Sequence, residues 1–183
     1  MATTASVYIA TSLDGFIARE NGAIDWLMDA NASIPPGEDC GYADFMSTID
    51  VLIMGRNTYE QVAQFDPWPY DGRRVVVLSS RALVFRRGAG IQLEASTESP
   101  RSLLTRLSAQ GYKRAYVDGG QVIQSFLRER LIHDMTITTI PILLGSGRRL
   151  FDTLPREMKL RLASSKSFEF GFTQATYLAC ADA

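Results

Sequence analysis

Three short apolar runs, each followed by a turn of small and polar residues, constrain the fold of this chain more than any other feature. Val51–Met54 is apolar throughout, Arg74–Leu78 is rich in valine, and Ala115–Val117 is the third run. Short runs of this kind are typical of strands that are buried on both faces of a parallel sheet. Helical patterns over Thr58–Gln64 and Val122–Arg130 follow two of the runs. The alternation of strand and helix therefore predicts an α/β protein with a mostly parallel sheet.

The two ends of the chain predict strands that complete this sheet. Val7–Thr11 alternates between buried and exposed residue types, Phe16–Ala18 is expected to be extended, and Met135–Ile140 is expected to form a strand that ends at Pro141. In Lys159–Ala181 we expect two strands that face each other in a C-terminal antiparallel hairpin. The sheet is therefore expected to be mixed, with one antiparallel edge.

Three further segments complete the expected elements. Ile24–Pro36 shows no clear periodicity, so we expect an irregular segment there. Glu38–Thr48 is expected to be helical, because Tyr42 and Phe45 have the spacing of residues on one helix face. Ser99 is followed by proline, which predicts the start of another helix.

Composition limits the classes of partner. The chain has 183 residues, of which 46% are hydrophobic, so we expect one domain over residues 1–183. The formal net charge of -1 indicates no global attraction to nucleic acid or to an anionic membrane. A local basic cluster is the feature that favours nucleic-acid binding as an alternative. Its members are Arg73, Arg74, Arg81, Arg86 and Arg87.

Cysteine and histidine are scarce in this sequence. Cys40 and Cys180 have no C-x-x-C neighbour, so we expect no metal site and a reduced chain, with one disulfide as the alternative. His133 is the single histidine, which excludes a multi-histidine metal site. The N-terminus lacks the pattern of a signal peptide, and no apolar stretch approaches the roughly 20 residues that span a bilayer. We therefore expect a cytoplasmic protein.

The turns that follow the three apolar runs are suited to binding phosphate groups. Glycine allows an anion to approach the backbone, and hydroxyl, guanidinium and helix N–H groups can donate to it. Because the carboxyl ends of parallel strands lie at the same edge of a sheet, we expect the three turns to meet there. The turn residues are Gly55, Arg56, Asn57 and Thr58, then Ser79, Ser80 and Arg81, then Asp118, Gly119, Gly120 and Gln121.

Together the three turns suit a dinucleotide that carries three phosphates, which indicates NADPH. Arg56, Ser80 and Arg81 are the residues that favour NADPH over NADH. Each turn taken alone has a plain alternative as a tight turn, a strand exit or a solvated loop. The G-x-G-x-x-G fingerprint is absent, which disfavours a standard Rossmann domain.

Five segments, in order along nearly the whole chain, resemble one superfamily of reductases. M-G-R-N-T-Y-E (54–60), V-V-L-S-S-R (76–81) and V-D-G-G-Q-V (117–122) resemble the dihydrofolate reductase superfamily. A-T-S-L-D-G-F-I-A (10–18) and T-I-P-I-L-L-G-S-G-R-R-L-F (139–151) are similar to the C-terminal reductase domain of riboflavin-biosynthesis (RibD) proteins. The resemblance implies a dihydrofolate-reductase-like three-layer fold with helices on both faces of the sheet. It also implies NADPH as cofactor and a homodimer, to which the hairpin and residues 65–70 would contribute.

The resemblance also assigns residues to the cofactor. The three turns would contact its phosphates, while Ala10 and Ile17 would lie near the nicotinamide. The full set implied for cofactor binding is Ala10, Ile17, Gly55, Arg56, Asn57, Thr58, Leu78, Ser79, Ser80, Arg81, Asp118, Gly119, Gly120, Gln121, Val122 and Ile123.

Reduction of a carbonyl or imine also needs a proton source. The resemblance implies an acid on the helix before M-G-R, but that position falls near Cys40 or Gly41, neither of which is an acid. Asp44 and Asp14 are therefore the candidate catalytic residues. Asp14 has an Asx-type turn before a glycine as its structural alternative.

A substrate pocket is expected from the residues around the first helices. Its candidate members are Trp26, Asp39, Tyr42 and Phe45. The alternative for Asp39, together with Glu38, is to cap the N-terminus of a helix, and the alternative for Trp26 is the apolar core.

The leading hypothesis is a stand-alone NADPH-dependent reductase that transfers hydride to a small heterocyclic or sugar-linked imine or carbonyl. The resemblance implies 5-amino-6-(5-phosphoribosylamino)uracil as the substrate, as in riboflavin biosynthesis. The motifs H-x-E and C-x-x-C of a zinc deaminase are absent, so we do not expect a bifunctional enzyme. The alternatives are dihydrofolate reductase activity and a non-catalytic NADP-binding module.

Overall fold

The computed structural model describes residues 2–86, 88 and 90–180. Arg87 of the basic cluster and Ala181 of the predicted hairpin lie outside these residues. The strands are β1 (Thr4–Ser12), β2 (Phe16–Ala18), β3 (Val51–Gly55), β4 (Arg74–Leu78), β5 (Gln92–Ser96), β6 (Arg114–Asp118), β7 (Ile132–Ile140), β8 (Arg148–Arg149), β9 (Leu160–Ser167) and β10 (Thr173–Ala179). The helices are α1 (Asp25–Asn31), α2 (Tyr42–Ser47), α3 (Arg56–Val62), α4 (Pro100–Ala109) and α5 (Gly120–Arg128).

The chain forms two compact units. The first contains the chain up to Ser6 and Thr48–Ile132, and the second contains Val7–Ser47 and the chain from His133 onward. The prediction of one reductase domain over residues 1–183 stays a prediction.

The first unit contains the parallel part of the sheet. Its strand order is β5-β4-β3-β6-β1, and every neighbouring pair in this series is parallel. Val51–Met54 is completely buried, as a strand covered on both faces requires. In the ladder Gly55 lies opposite Leu78, and Met54 lies opposite Asp118. The carboxyl ends of β3, β4 and β6 therefore lie at one edge, as the sequence predicts.

The second unit contains the antiparallel part of the sheet. The continuation of β1 is followed by β7, β10 and β9, and both pairs formed by β10 are antiparallel. A second, two-stranded sheet pairs β2 with β8. Because β1 belongs to both series, the eight strands form one mixed, mostly parallel sheet with a C-terminal antiparallel pair. The predicted fold class and hairpin are confirmed.

Local signals explain several of these elements. Ser99 Oγ accepts the backbone N–H of Ser102 at 3.3 Å and Pro100 occupies the first turn, so α4 begins where the sequence predicts. Gly111, with φ of 90°, follows the end of that helix.

Of two expectations about the segment before β3, one was wrong and the other is confirmed only in part. The stretch expected to be irregular contains α1, which has no side-chain cap and buries Trp26. Its stability comes from tertiary burial, which leaves little periodic signal in so short a helix. The helix expected over Glu38–Thr48 is shorter: α2 begins at Tyr42, because Cys40 and Gly41 adopt left-handed backbone with φ of 58° and 84°.

No helix among residues 2–86, 88 and 90–180 is both long and apolar enough to cross a membrane.

Candidate functional site

Two of the three predicted phosphate-binding turns contact each other in the first unit. Gly119, between β6 and α5, has φ of 91° and ψ of 131°. A methyl group placed on it would lie 2.3 Å from Thr58 Oγ1, and one placed on Gly55 would lie 3.2 Å from Val122 Cγ2. The end of β3 with α3 and the end of β6 with α5 therefore pack together, and glycine is required where they approach most closely.

The third turn follows β4. The N–H of Ser79 donates to the carbonyl of Ser96 at 3.0 Å, which extends the β4–β5 pairing by one residue. Ser79 Oγ donates to the carbonyl of Arg81 at 2.8 Å and accepts its N–H at 3.1 Å, so the turn is closed by its own hydroxyl. Ser80 and Arg81 are exposed. This turn lies at the same sheet edge as the other two, because Leu78 is opposite Gly55.

The side chains of the turns differ in whether other groups of the protein already bind them. Arg56 Nε lies 2.6 Å from Glu60 Oε1 in an exposed ion pair, the kind that contributes about 0.3–0.5 kcal/mol on a helix. Among the residues that the structure describes, Thr58 Oγ1 forms no hydrogen bond, so its hydroxyl can donate to a ligand. Asn57 and Gln121 are exposed.

One residue implied for the cofactor does not fit that role. The side chain of Ile123 is completely buried, and its N–H donates to the carbonyl of Gly119 at 2.9 Å. The strongly amphipathic α5 turns Ile123 and Val122 inward, so Ile123 has neither a side chain nor an N–H to offer a ligand. The residues before it, Gly120 and Gln121, carry the first helical N–H groups.

Asp118 directly precedes Gly119 at this contact. Its Oδ1 accepts the N–H of Gly119 at 2.8 Å. The residue as a whole keeps some exposed surface, but burial of its carboxyl group raises the pKa from its ordinary value of 3.8 to about 6, and the Gly119 hydrogen bond partly opposes this. An acid of this kind is neutral in part of the molecules near neutral pH.

The second unit contains a polar and aromatic cluster around Tyr8. The phenol donates to the carbonyl of Cys40 and accepts from Gln174 Nε2 at 3.0 Å. The Tyr8 ring packs against Phe45 at 4.9 Å and meets Tyr42 edge-on at 5.6 Å. Burial raises the pKa of Tyr8 to about 12, so the phenol stays protonated. The structure thus brings two expected pocket residues, Tyr42 and Phe45, to a tyrosine that the motif analysis missed.

Asp14 has a structural role. Its carboxylate accepts the hydroxyl of Ser12 at 2.6 Å and the N–H groups of Leu144 and Gly145 at 3.1 and 2.7 Å. These hydrogen bonds, that of Ser12 first, hold the pKa of Asp14 below its ordinary value. A carboxylate that stays ionised and accepts three hydrogen bonds is a poor proton donor. Asp14 is therefore structural, but it holds the distant Leu144–Gly145 segment and does not form the Asx-type turn given as its alternative.

The other two acids lie around α2. Asp39 accepts the N–H groups of Gly41 and Ala43, both at 2.8 Å, and these hydrogen bonds, led by that of Ala43, lower the pKa of Asp39. Asp39 therefore caps the start of α2, which is its structural alternative. Asp44 lies on the exposed side of the same helix, next to buried Phe45.

Trp26 lines an open cavity of about 290 Å³ in the second unit. The indole is buried, and among the described residues its Nε1 has no hydrogen-bond partner. Ala10 packs against the same apolar cluster, and Ile17 is the central residue of β2. The cavity is lined by Arg19, Trp26, Asp29, Ala30, Ser33, Ile140, Pro141, Ile142, Phe170 and Phe172. Trp26 thus borders an amphipathic cavity, whereas Tyr42 and Phe45 contact Tyr8.

The described part of the chain holds no cluster of three or more His, Cys, Asp or Glu side chains able to bind a metal ion. Cys40 and Cys180 are free thiols, so the disulfide alternative is excluded.

Comparison with known proteins identifies the family. The RibD C-terminal domain model matches residues 4–173. The uncharacterized protein YwjB of Bacillus subtilis (strain 168) is 38% identical over 165 residues, which cover 88% of this chain and 90% of that protein. A crystal structure from Shewanella sp. PV-4, provisionally described as a riboflavin biosynthesis protein, is 38% identical with a TM-score of 0.88, over 99% of this chain and 100% of that chain.

A more distant structure shares the fold alone. It is a diaminohydroxyphosphoribosylaminopyrimidine deaminase/5-amino-6-(5-phosphoribosylamino)uracil reductase from Thermotoga maritima, 15% identical with a TM-score of 0.68, and the match covers 98% of this chain and 57% of that one. The family model and the relatives both extend over nearly all the elements described above. We conclude that the chain belongs to the RibD C-terminal domain family, a family with a reductase-like fold.

Proposed function

We propose that this protein is an NADPH-dependent reductase that transfers hydride to a small heterocyclic or sugar-linked imine or carbonyl. The observation that carries the proposal is the packing of Gly119 against Thr58 at the carboxyl ends of two parallel strands. This arrangement leaves a glycine turn, a free hydroxyl and the start of a nine-residue helix together at one sheet edge. Ligands of α/β sheets bind at that edge.

The residues present fit the anionic part of such a cofactor. A side chain at Gly119 would fill the space that a phosphate needs, and glycine leaves it open. Gly120, Gln121 and Thr58 would donate to the pyrophosphate, with Asn57 beside them. Arg56 and Arg81 would contact the 2′-phosphate, together with Ser80 and Ser79. When bound, the nicotinamide supplies the hydride.

The second unit would supply the substrate groups. Trp26, which lines the cavity, and the Tyr42 and Phe45 rings beside Tyr8 are the proposed aromatic contacts for a planar heterocycle. The Thermotoga relative is a 5-amino-6-(5-phosphoribosylamino)uracil reductase, and we propose a substrate of that chemical class for this chain. Asp44 is retained as the proposed proton donor, because among the described contacts its carboxylate accepts no hydrogen bond.

Dihydrofolate reduction is less well supported. The position of the superfamily acid falls near Cys40 and Gly41, and both have left-handed backbone ahead of α2. Neither of these two residues is an acid. The neighbouring acids in the sequence, Glu38 and Asp39, accept backbone N–H groups. A non-catalytic NADP-binding module stays the second alternative.

Binding and turnover with arginine variants test the proposal. We expect NADPH oxidation, followed by absorbance, with the phosphoribosylaminouracil and none with dihydrofolate. We expect the double variant R56A/R81A to weaken NADPH binding by about 100-fold or more while NADH binding changes little, because each arginine would lose charge-assisted hydrogen bonds worth about 1.5–3 kcal/mol.

The matched control is R101A, which also removes an exposed arginine from an ion pair, here with Glu129. It should leave both affinities unchanged. Equal losses of NADPH and NADH affinity in R56A/R81A would contradict the assignment of the 2′-phosphate. NADPH binding without turnover of either substrate would instead favour the binding module.

We also propose that the protein is a cytoplasmic homodimer. All eight residues of β9, a strand at the edge of the sheet, are exposed, and they include Leu160 and Leu162. An exposed edge strand that carries apolar side chains favours pairing with another chain. Residues 65–70 are a poorer candidate than expected, because Trp68 and Tyr70 are buried inside the first unit. The free thiols fit a reducing compartment.

A further inference from the structure

Asp118 occupies a backbone hydrogen-bond donor next to those proposed for the cofactor phosphates. It is the last residue of β6, and its Oδ1 accepts the N–H of Gly119 at 2.8 Å. That N–H belongs to the glycine turn from which α5 begins. Carboxylates and phosphates are both anions that accept hydrogen bonds from backbone N–H groups at such turns. The ionised side chain therefore lies where a phosphate would be attracted, and it would also repel that phosphate.

The surroundings of Asp118 favour its neutral form. Met54 lies opposite it on β3, and the paired part of β1, Thr4–Ser6, has no titratable side chain. Burial is the main cause of the raised pKa, with the Gly119 N–H as the only other contribution. None of the charged residues on the adjoining helices α3 and α5 contributes to it: Arg56, Glu60 and Arg128.

Close packing around the turn opposes a movement that would relieve the conflict. Gly119 is packed so tightly on Thr58 that a single added methyl group would lie 2.3 Å from the hydroxyl oxygen. The direction of the Gly119 N–H is therefore held by the packing. Protonation of Asp118 removes the repulsion and turns an anionic acceptor into an O–H that can donate to a phosphate oxygen.

We propose that Asp118 and the dinucleotide phosphates compete for the glycine turn, so that the cofactor binds preferentially to the protein whose Asp118 carboxyl group is protonated. This inference rests on the proposed function, because it takes the dinucleotide to bind at this turn. One proton passes from solvent to the Asp118 carboxylate as the phosphates arrive, and the O–H bond is the only covalent bond formed. Affinity for the cofactor then falls as the pH rises.

The variant D118N keeps the shape of the side chain and an oxygen acceptor while removing the charge. We compare the dissociation constants of wild type and D118N for NADPH and for NADH between about pH 5 and about pH 8. Taking the ratio for one ligand cancels the titration of the ligand itself, since the 2′-phosphate of NADPH has a pKa of about 6. We expect the dissociation constant of wild type divided by that of D118N to rise from about 1 at about pH 5 to as much as about 100 at about pH 8. At the higher pH only about one Asp118 carboxyl group in 100 is protonated.

The matched control is D50N. The Asp50 carboxylate also accepts backbone N–H groups in the first unit, those of Lys113 and Arg114 at 2.7 and 2.9 Å, but at the start of β6. Its removal changes the net charge equally, so we expect a ratio that does not vary with pH. Calorimetry of NADH binding to the wild type, in two buffers of different ionisation enthalpy at about pH 7, supplies a measurement that needs no variant. We expect uptake of about one proton per ligand.

A ratio for D118N that stays constant with pH, together with no proton uptake by the wild type, would overturn this inference while leaving cofactor binding intact. If neither nucleotide binds either protein at any pH, the proposed function itself fails, and this inference fails with it. The two failures are therefore distinct in the same experiment.

Discussion

A methyl group added at Gly119 tests the contact on which the proposed cofactor site depends. In G119A two costs arise. Alanine must adopt φ of 91°, which costs about 1–2 kcal/mol, and its Cβ would lie 2.3 Å from Thr58 Oγ1, an overpacking that costs about 1–3 kcal/mol. We expect the free energy of unfolding to fall by about 2–5 kcal/mol, measured by urea denaturation followed by circular dichroism.

The chain offers controls that separate the two costs. Gly111 has φ of 90° and no atom within 4 Å of an added Cβ, so G111A should lose only the about 1–2 kcal/mol of backbone strain. T58A removes the clashing oxygen, and G119A should therefore cost less in that background. T58V keeps an atom at the same place and should bring no relief.

The reasoning would be refuted if G119A and G111A destabilised the protein equally, within about 0.5 kcal/mol, and if T58A and T58V had the same effect on G119A. That result would mean that the ends of β3 and β6 do not meet as closely as the 2.3 Å approach implies. The proposed phosphate site would then lose its main support.

The remaining predictions concern the Asp118 carboxyl group and the edge of the sheet. Between about pH 4 and about pH 6 the folded protein keeps the Asp118 proton while the unfolded chain releases it, because the pKa is raised from 3.8 to about 6. Wild-type stability therefore falls as the pH rises through this window, and D118N should be more stable at about pH 8 by up to about 3 kcal/mol, a gain that disappears below about pH 4. A pH-independent difference in urea denaturation would contradict this. For the proposed dimer, light scattering should give twice the 20.3 kDa chain mass, and L162K on β9 should halve it, whereas L143K, at another exposed leucine, should not. A monomeric wild type would remove the dimer proposal.

Local sequence was sufficient for the elements that carry their own signals. The apolar run Val51–Met54 forms the strand that its composition predicts, and it is buried on both faces. The cap formed by Ser99 lies within four residues of the start of α4, so local sequence is enough to predict it. Glycine and polar residues after such strands indicated turns able to bind phosphate, and those after β3 and β6 do pack together. The edge at which the turns lie followed from the parallel order alone, since parallel strands end together.

Pairings between distant segments decided the rest. Asp14 accepts the N–H of Gly145, which is 131 positions away, and Tyr8 accepts from Gln174, which is 166 positions away. These contacts made Asp14 a structural residue and placed Tyr8 beside Phe45. The same holds for α1, whose short helix depends on the burial of Trp26.

What the sequence by itself determined is therefore the set of strands, turns and donor groups, because each depends on neighbours within a few residues. Only the tertiary structure decided that the Asp44 carboxylate accepts no hydrogen bond among the described contacts and that the Asp118 carboxyl group is buried. The charge of a carboxyl group depends on the donors and the solvent around it, and the chain brings these together from positions that no local pattern connects.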